Sequence, residues 1–100
     1  MKLTIIPSDG AIYKDGVVYS GLDLSNVPSN VHALQWYETE GEIEFRGKPK
    51  PQNEIIFELP VWANDCLNKW NEAKAAEEAA ILAAKEAASN QPQTQGTQTA

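Results

Sequence analysis

Residues 31–45, VHALQWYETEGEIEF, are the most informative part of the chain, because they have the pattern of a β-hairpin. Side chains alternate across a strand, so every second residue of each arm shares a face. The apolar faces that should meet hold His32, Leu34 and Trp36 on the first arm and Ile43 and Phe45 on the second. Between the arms, Gly41 can adopt the positive φ that short hairpin loops commonly need. The stretch therefore predicts an antiparallel hairpin, and its residues do not resemble a catalytic apparatus.

Three further strands are predicted before this hairpin. Residues 2–6 are apolar and β-branched, and the PSDG segment that follows them has turn chemistry. Residues 11–13 and 17–20 flank a Lys-Asp-Gly turn, whose Asp-Gly pair is a strong hairpin signal. The segment 21–30 mixes turn residues with aliphatic ones, which indicates an ordered loop.

The chain after the hairpin predicts a loop and then one long helix. Residues 47–53 contain two prolines, which cannot donate to a strand ladder, so this segment is predicted as a loop. Residues 54–59, EIIFEL, are ambiguous between a strand and a helical turn, and we favour a helical turn or an extended lead-in. Pro60 suits the start of a helix, and residues 61–88 contain neither glycine nor proline.

The first half of this helix has one apolar face. Residues at helical spacing on that face are Trp62, Cys66, Trp70 and Ala73, joined at its edge by Ala63 and Leu67. We expect this face to pack on the sheet. Beyond Ala73 the apolar stripe thins to alanine with Ile81 and Leu82. We therefore expect the distal half to project from the domain and fray, or to pair with another chain.

These elements together predict an α+β fold, with a small antiparallel meander of four or five strands packed by one long C-terminal helix. Residues 1–74 are the predicted domain, 75–88 an Ala-rich helical extension, and 89–100 a disordered Gln/Thr-rich tail. The core that remains without the extension and the tail is small, so its stability alone is marginal. A partner, or self-association through the Ala-rich helix, is therefore expected.

Composition disfavours several classes of function. The net charge is −6 with no basic stripe, so binding to nucleic acid or to an anionic membrane is not expected. Cys66 is the single cysteine, which excludes an intramolecular disulfide and any multi-cysteine zinc site and fits a reducing cytoplasm. No stretch has the pattern of a signal peptide or a membrane span, so a soluble protein is expected.

The side chains that could support catalysis or metal binding are better explained by ordinary structural roles. His32 is the sole histidine and shares its predicted face with apolar residues, so a packed or strand-edge histidine is favoured over a catalytic one. Cys66 lies on the apolar helix face, where thiols are usually inert. The alternating glutamates within residues 38–44 fit a solvated strand face better than a cation site, because alternate side chains lie about 7 Å apart. We expect no enzyme activity, cofactor or metal.

Aromatic side chains are the best candidates for a partner surface. Tryptophan and tyrosine often anchor interfaces, and this short chain has three of each. An equally good interpretation places the three tryptophans in one sheet–helix core, and the two interpretations are compatible. Tyr37 alternates to the face opposite Trp36, which favours its exposure. The residues predicted for partner binding are Trp36, Tyr37, Trp62, Trp70, Ile81 and Leu82.

Four segments carry a family resemblance: MKLTIIPSDG, GLDLSNVPSNVHALQWY, GEIEF and LPVWANDCLNKWNEAKAAEEAA. Through them, residues 1–80 resemble a group of small proteins encoded beside tail-fibre genes in tailed bacteriophages and prophages. Members are described as tail-assembly or tail-fibre-associated proteins, and sometimes as chaperones. The most distinctive element is HALQW followed by G-x-I-x-F, which encodes a structural hairpin. The resemblance implies a role in virion assembly or as a virion component, and it transfers no catalytic residue.

We therefore expect a phage tail-fibre-associated assembly factor that binds protein, either in the host cytoplasm during assembly or on the virion tail. In this hypothesis it shields the apolar surface of a fibre segment until that segment is trimerised or mounted. Two alternatives stay open. One is a permanent structural component of the tail or fibre, whose Ala-rich helices bundle. The other is a small acidic inhibitor of a host protein.

Overall fold

A computed structural model describes the backbone of residues 1–95 and the side chains of residues 1–88. It has a six-stranded antiparallel sheet packed against one long helix, so the predicted α+β class is confirmed. A 3-10 turn, Pro7–Asp9, connects the first two strands. The elements in chain order are β1 (Lys2–Ile6), β2 (Ala11–Lys14), β3 (Val17–Tyr19), β4 (Val31–Tyr37), β5 (Glu40–Phe45), β6 (Glu54–Ile56) and α1 (Val61–Gln95).

The strands lie in the order β3-β2-β1-β4-β5-β6, and every neighbouring pair is antiparallel. Two three-stranded units therefore meet along β1 and β4, where Ile5 pairs with Leu34. This central pairing joins strands that are not consecutive, so the sheet is two meanders side by side rather than one. It also has one strand more than the predicted maximum of five.

The additional strand is β6, and it corrects the expected helical turn or lead-in at residues 54–59. Glu54–Ile56 pairs with residues 41–43 of β5 in an antiparallel ladder. Without β6, the backbone N–H and C=O groups on the outer side of β5 would have no strand partner. An adjacent extended segment provides their hydrogen bonds. The short apolar run became a strand because of this neighbour, which local periodicity does not reveal.

Two of the hairpin turns differ in which residues adopt positive φ. Between β2 and β3, Asp15 (φ 49°) and Gly16 (φ 87°) both do, as the predicted Asp-Gly turn requires. Between β4 and β5 the residue with positive φ is Glu38 (φ 57°), contrary to the expectation for Gly41. Gly41 instead belongs to β5.

Gly41 is needed for close packing rather than for turn geometry. It pairs with Trp36 in the β4–β5 ladder. A Cβ atom at this position would lie 2.8 Å from Trp36 Cε3 and 2.8 Å from Gln35 O. The indole of Trp36 therefore occupies the space that a side chain would need, as aromatic residues commonly do beside strand glycines.

A register shift between Val31 and Ala33 changes the alternation at the start of β4. Leu34 and Trp36 face the core as predicted, but His32 is exposed. The expectation that His32 shares their face is therefore wrong. In a β-bulge, two residues of one strand lie opposite a single residue of the partner strand. The side chain before the bulge therefore faces the side opposite to the one that strict alternation predicts.

The helix packs against β2 and β3 on one side of the sheet. Its predicted apolar face is buried at Ala63, Cys66 and Trp70, with Trp62 and Leu67 partly buried. The strands contribute to the same core Leu3, Ile5, Ile12, Leu34, Trp36 and Ile43. Each fully buried large aliphatic side chain in such a core stabilises the fold by about 1.5–3 kcal/mol.

Beyond Lys74 the helix extends past the core, although Glu77 still accepts a hydrogen bond from Tyr19 of β3. Every side chain of residues 75–88 is exposed, including Ile81 and Leu82. The helix continues to Gln95, so it includes the predicted extension and residues 89–95 of the segment predicted as a disordered tail. The rest of that predicted tail, residues 96–100, lies outside the described residues.

Candidate protein-binding site

The residues predicted for partner binding lie in separate places. Trp36 and Trp70 are in the core, with 8 % and 4 % of their surface exposed. Tyr37 is 60 % exposed on the sheet face opposite the helix, where Lys2 Nζ lies 5.5 Å from its ring centroid. Trp62 is half-buried at the start of α1, and Ile81 and Leu82 are exposed on its distal half. The structure therefore does not bring the predicted residues together in one site.

Trp36 and Trp70 contribute their side chains to the core, and little of either surface is exposed. Trp36 Nε1 donates a hydrogen bond to Glu38 O at 3.0 Å, and Trp70 Nε1 donates to Val17 O at 3.0 Å. Both indoles belong to the same core cluster, as the single-core interpretation predicts for these two. Burial and a satisfied N–H leave neither ring available to another protein.

A groove lies beside β6 on the helix side of the sheet, and we call it the β6 groove. Because α1 lies over β2 and β3, it leaves the β5–β6 end of this side uncovered. The groove has a volume of about 400 Å³. Its apolar lining consists of Val31, Ile43, Phe45, Ile56, Leu59 and Trp62. Trp62 is the one residue of the predicted set that lines it.

Strand alternation and the start of the helix build the β6 groove. Glu54 pairs with the buried Ile43, so Glu54 and Ile56 face the groove and Ile55 faces the opposite side. Pro60 then ends the extended segment, and α1 begins at the next residue. The first turn of the helix places Trp62 on the wall facing the strands.

The rim of the β6 groove is acidic. Glu54 and Glu58 both line it and are both exposed. Within residues 1–88, neither carboxylate takes part in an ion pair, and no lysine or arginine lines the groove. An apolar floor with a negative rim is complementary to a ligand that carries both apolar and cationic groups.

Exposed apolar side chains gather at the same end of the sheet. Ile55 is 53 % exposed, and Phe57, which follows β6, is 71 % exposed. On the sheet face away from the helix, one row across the strands reads Val18, Tyr13, Thr4, Gln35, Glu42 and Ile55. Polar side chains thus separate Ile55 from the exposed apolar residues of β2 and β3. The β6 end is where a groove and exposed apolar residues coincide.

The groups with reactive chemistry are not assembled into a centre. Burial raises the pKa of the Cys66 thiol, although Asn26 Nδ2, 3.8 Å from Sγ, acts in the opposite direction. His32 is exposed at the register shift in β4. Over the described residues, no three histidine, cysteine, aspartate or glutamate side chains are grouped so that they could hold a metal ion.

In the part of the chain that the structure describes, no helix is both long enough and apolar enough to cross a bilayer.

Sequence reasoning missed most of the β6 groove. The available signal is residues 54–59, EIIFEL. Three large apolar residues lie between Glu54 and Glu58, and a fourth directly follows Glu58. Its meaning depends on β6 joining the sheet, so the segment alone does not reveal a groove. Comparison with known proteins adds no relative: no family model, no curated protein and no solved structure matches the chain.

Proposed function

We propose that the protein is a phage tail-fibre-associated assembly factor, which binds a segment of a tail-fibre protein through the β6 groove. The resemblance of residues 1–80 to proteins encoded beside tail-fibre genes supports the biological setting. The observation that carries the binding role is the uncovered apolar groove of about 400 Å³ next to the exposed Ile55 and Phe57. Apolar surface grouped in this way on a small domain is typical of an interaction site.

The proposed role is to cover apolar surface on an unassembled fibre chain in the host cytoplasm. Binding removes the fibre segment from the population that can aggregate, by mass action on the bound state. The factor is released when fibre chains trimerise or are mounted, because the mature contact competes for the same apolar surface. This role requires adhesion and no bond-breaking step.

Co-expression with a tail-fibre protein from the same phage genome tests the proposal. We expect the two proteins to co-purify and the soluble yield of the fibre to rise. The double variant Ile55→Thr/Phe57→Ser removes exposed apolar surface beside the groove, so it should reduce both effects while preserving the circular dichroism spectrum.

Ile81→Ser/Leu82→Ser is the matched control, because it removes exposed apolar surface of similar extent from the distal helix. It should leave co-purification unchanged. A fibre that does not co-purify with the wild-type chain, or that loses binding equally with both double variants, contradicts the proposal.

A permanent structural component of the virion is the second candidate, and the exposed distal helix favours it. Ile81 and Leu82 are 54 % and 58 % exposed on a helix that is otherwise mostly alanine and charged residues over 75–88. Packing such helices between copies or along a fibre would cover these side chains. Mass spectrometry of purified virions separates the candidates, because a released assembly factor is absent and a component is present at fixed stoichiometry.

A further inference from the structure

The two edge strands of the sheet differ in how their backbone is covered. At β3, Trp70 Nε1 donates to Val17 O at 3.0 Å, and Tyr19 OH donates to Glu77 Oε1 at 2.8 Å, so the helix is tied to this edge. At β6, the described residues provide no hydrogen bond to the strand other than those of its pairing with β5. An unpaired strand edge is a template for another strand.

The two carboxylates next to β6 disfavour pairing with a second copy of this chain. Glu54 begins the strand, and Glu58 follows it by two residues. Pairing of two β6 strands would bring four carboxylates close together without a lysine or arginine among the groove residues. The whole chain is also negative, at −6. The favoured occupant is therefore a positively charged segment of a different protein.

We propose that β6 receives an added strand from the partner: an extended segment with a short apolar centre flanked by lysine or arginine. In assigning that segment to a tail-fibre protein, this inference rests on the proposed function. Backbone hydrogen bonds to the free edge of β6 provide affinity, and side chains on alternate positions provide specificity. One set of alternate side chains borders Ile56 and the β6 groove, and the other borders Ile55.

The flanking cations are the specific feature of this recognition. Lysine or arginine at the two ends of the segment lies near Glu54 and Glu58, which have no ion-pair partner among the described side chains. Exposed ion pairs each contribute only modestly to affinity, so the apolar centre and the backbone hydrogen bonds must act with them. The ligand class is thus defined by its extended backbone, its apolar centre and its positive ends together.

The test uses the full chain labelled with nitrogen-15 and the capped peptide Lys-Lys-Val-Ile-Val-Lys-Lys as the probe. We expect titration to shift the amide signals of Glu54–Ile56 and the indole signal of Trp62, and to leave signals of residues 79–88 in place. Methylation of alternate peptide nitrogens removes donors for strand pairing and should weaken binding roughly tenfold or more. A peptide with glutamate replacing every lysine should bind at least as weakly.

Charge-reversal variants provide the matched comparison. Glu54→Lys/Glu58→Lys should weaken binding of the lysine peptide roughly tenfold, because two attractions become repulsions. Glu72→Lys/Glu86→Lys changes the net charge equally on the helix and should leave the affinity within roughly twofold. Equal losses in both variants, insensitivity to methylation, or no binding of the lysine peptide overturns the inference.

The outcomes also separate this inference from the proposed function. If the tail-fibre protein co-purifies equally well with the wild type and with Glu54→Lys/Glu58→Lys, strand addition at β6 is wrong and the assembly role stands. If the peptide binds at β6 but the fibre protein does not co-purify, the edge site stands and the assembly role is wrong.

Discussion

β3 and β6 are three-residue strands at opposite edges of one sheet, and they differ in their contact with the helix. Trp70 bonds to the backbone of β3, whereas β6 borders an open groove. Six strands spaced about 4.8 Å apart span about 24 Å, and one helix is only about 10 Å wide. A single helix can therefore protect one end of this sheet and must leave the other accessible.

Trp70→Ala should cause the largest loss, because it removes the side chain that covers the β3 edge. The indole is 4 % exposed, packs edge-on against Tyr19 with ring centroids 5.4 Å apart, and donates to Val17 O. We expect the free energy of unfolding to fall by about 3–5 kcal/mol in urea denaturation. Trp70→Phe keeps a ring but removes the donor, so it should cost less. A loss below about 1 kcal/mol for Trp70→Ala would show that this contact does not hold the helix.

Gly41→Ala should have the next largest effect, and it changes β5, the strand that pairs with β6. The new Cβ would lie 2.8 Å from both Trp36 Cε3 and Gln35 O, so the ladder or the indole must move. We expect a destabilisation of about 1–3 kcal/mol in urea denaturation. Glu40→Ala, at the preceding position of β5, is the control, because Glu40 is exposed and its side chain makes no hydrogen bond among the described residues. It should change stability by less than about 0.5 kcal/mol. Similar values for both variants would contradict the close packing at Gly41.

A smaller effect is expected at alkaline pH from the Tyr19–Glu77 contact at the β3 edge. The hydrogen bond to Glu77 is the main cause that raises the pKa of Tyr19 above its ordinary value of 10.0, with burial and nearby carboxylates adding to it. The folded state therefore favours the protonated phenol. This contribution is present below pH 10 and is lost as pH rises through the raised pKa of Tyr19.

The measurement is the unfolding midpoint in urea between pH 8 and pH 11. Tyr19→Phe should lower the midpoint at pH 8, and the difference from the wild type should shrink above pH 10. Tyr13→Phe removes a phenol that makes no hydrogen bond among the described residues, so it serves as the matched control. A difference between wild type and Tyr19→Phe that stays constant with pH would contradict the role of this bond.

Removal of residues 79–100 should have the smallest effect, because the helix has already passed the β3 edge. Truncation after Glu78 keeps the Tyr19–Glu77 bond and the Lys74–Glu78 ion pair. The described side chains it removes, residues 79–88, are all exposed. We expect the free energy of unfolding to change by less than about 0.5 kcal/mol. A full-length midpoint that rises with protein concentration, but not after truncation, would instead show self-association through the distal helix.

Some features of the fold were predictable from the sequence, and others were not. The Asp-Gly turn, the β4–β5 hairpin and the buried helix face at Ala63, Cys66 and Trp70 were predictable, because each depends on residues close together in the chain. In the candidate site only Trp62 was predicted. The rest of the groove depends on where the helix crosses the sheet, which no local pattern specifies.

Strand alternation, turn chemistry and helical spacing are local properties, so the sequence was enough to predict the α+β class, the Asp-Gly turn and the apolar face of the helix. Tertiary structure alone decided that β1 pairs with β4, that Glu54–Ile56 is a strand, and that His32 faces solvent. The physical reason is that a short segment takes its conformation from whichever backbone and side chains lie beside it. At β6 that neighbour is β5 on one side and solvent on the other.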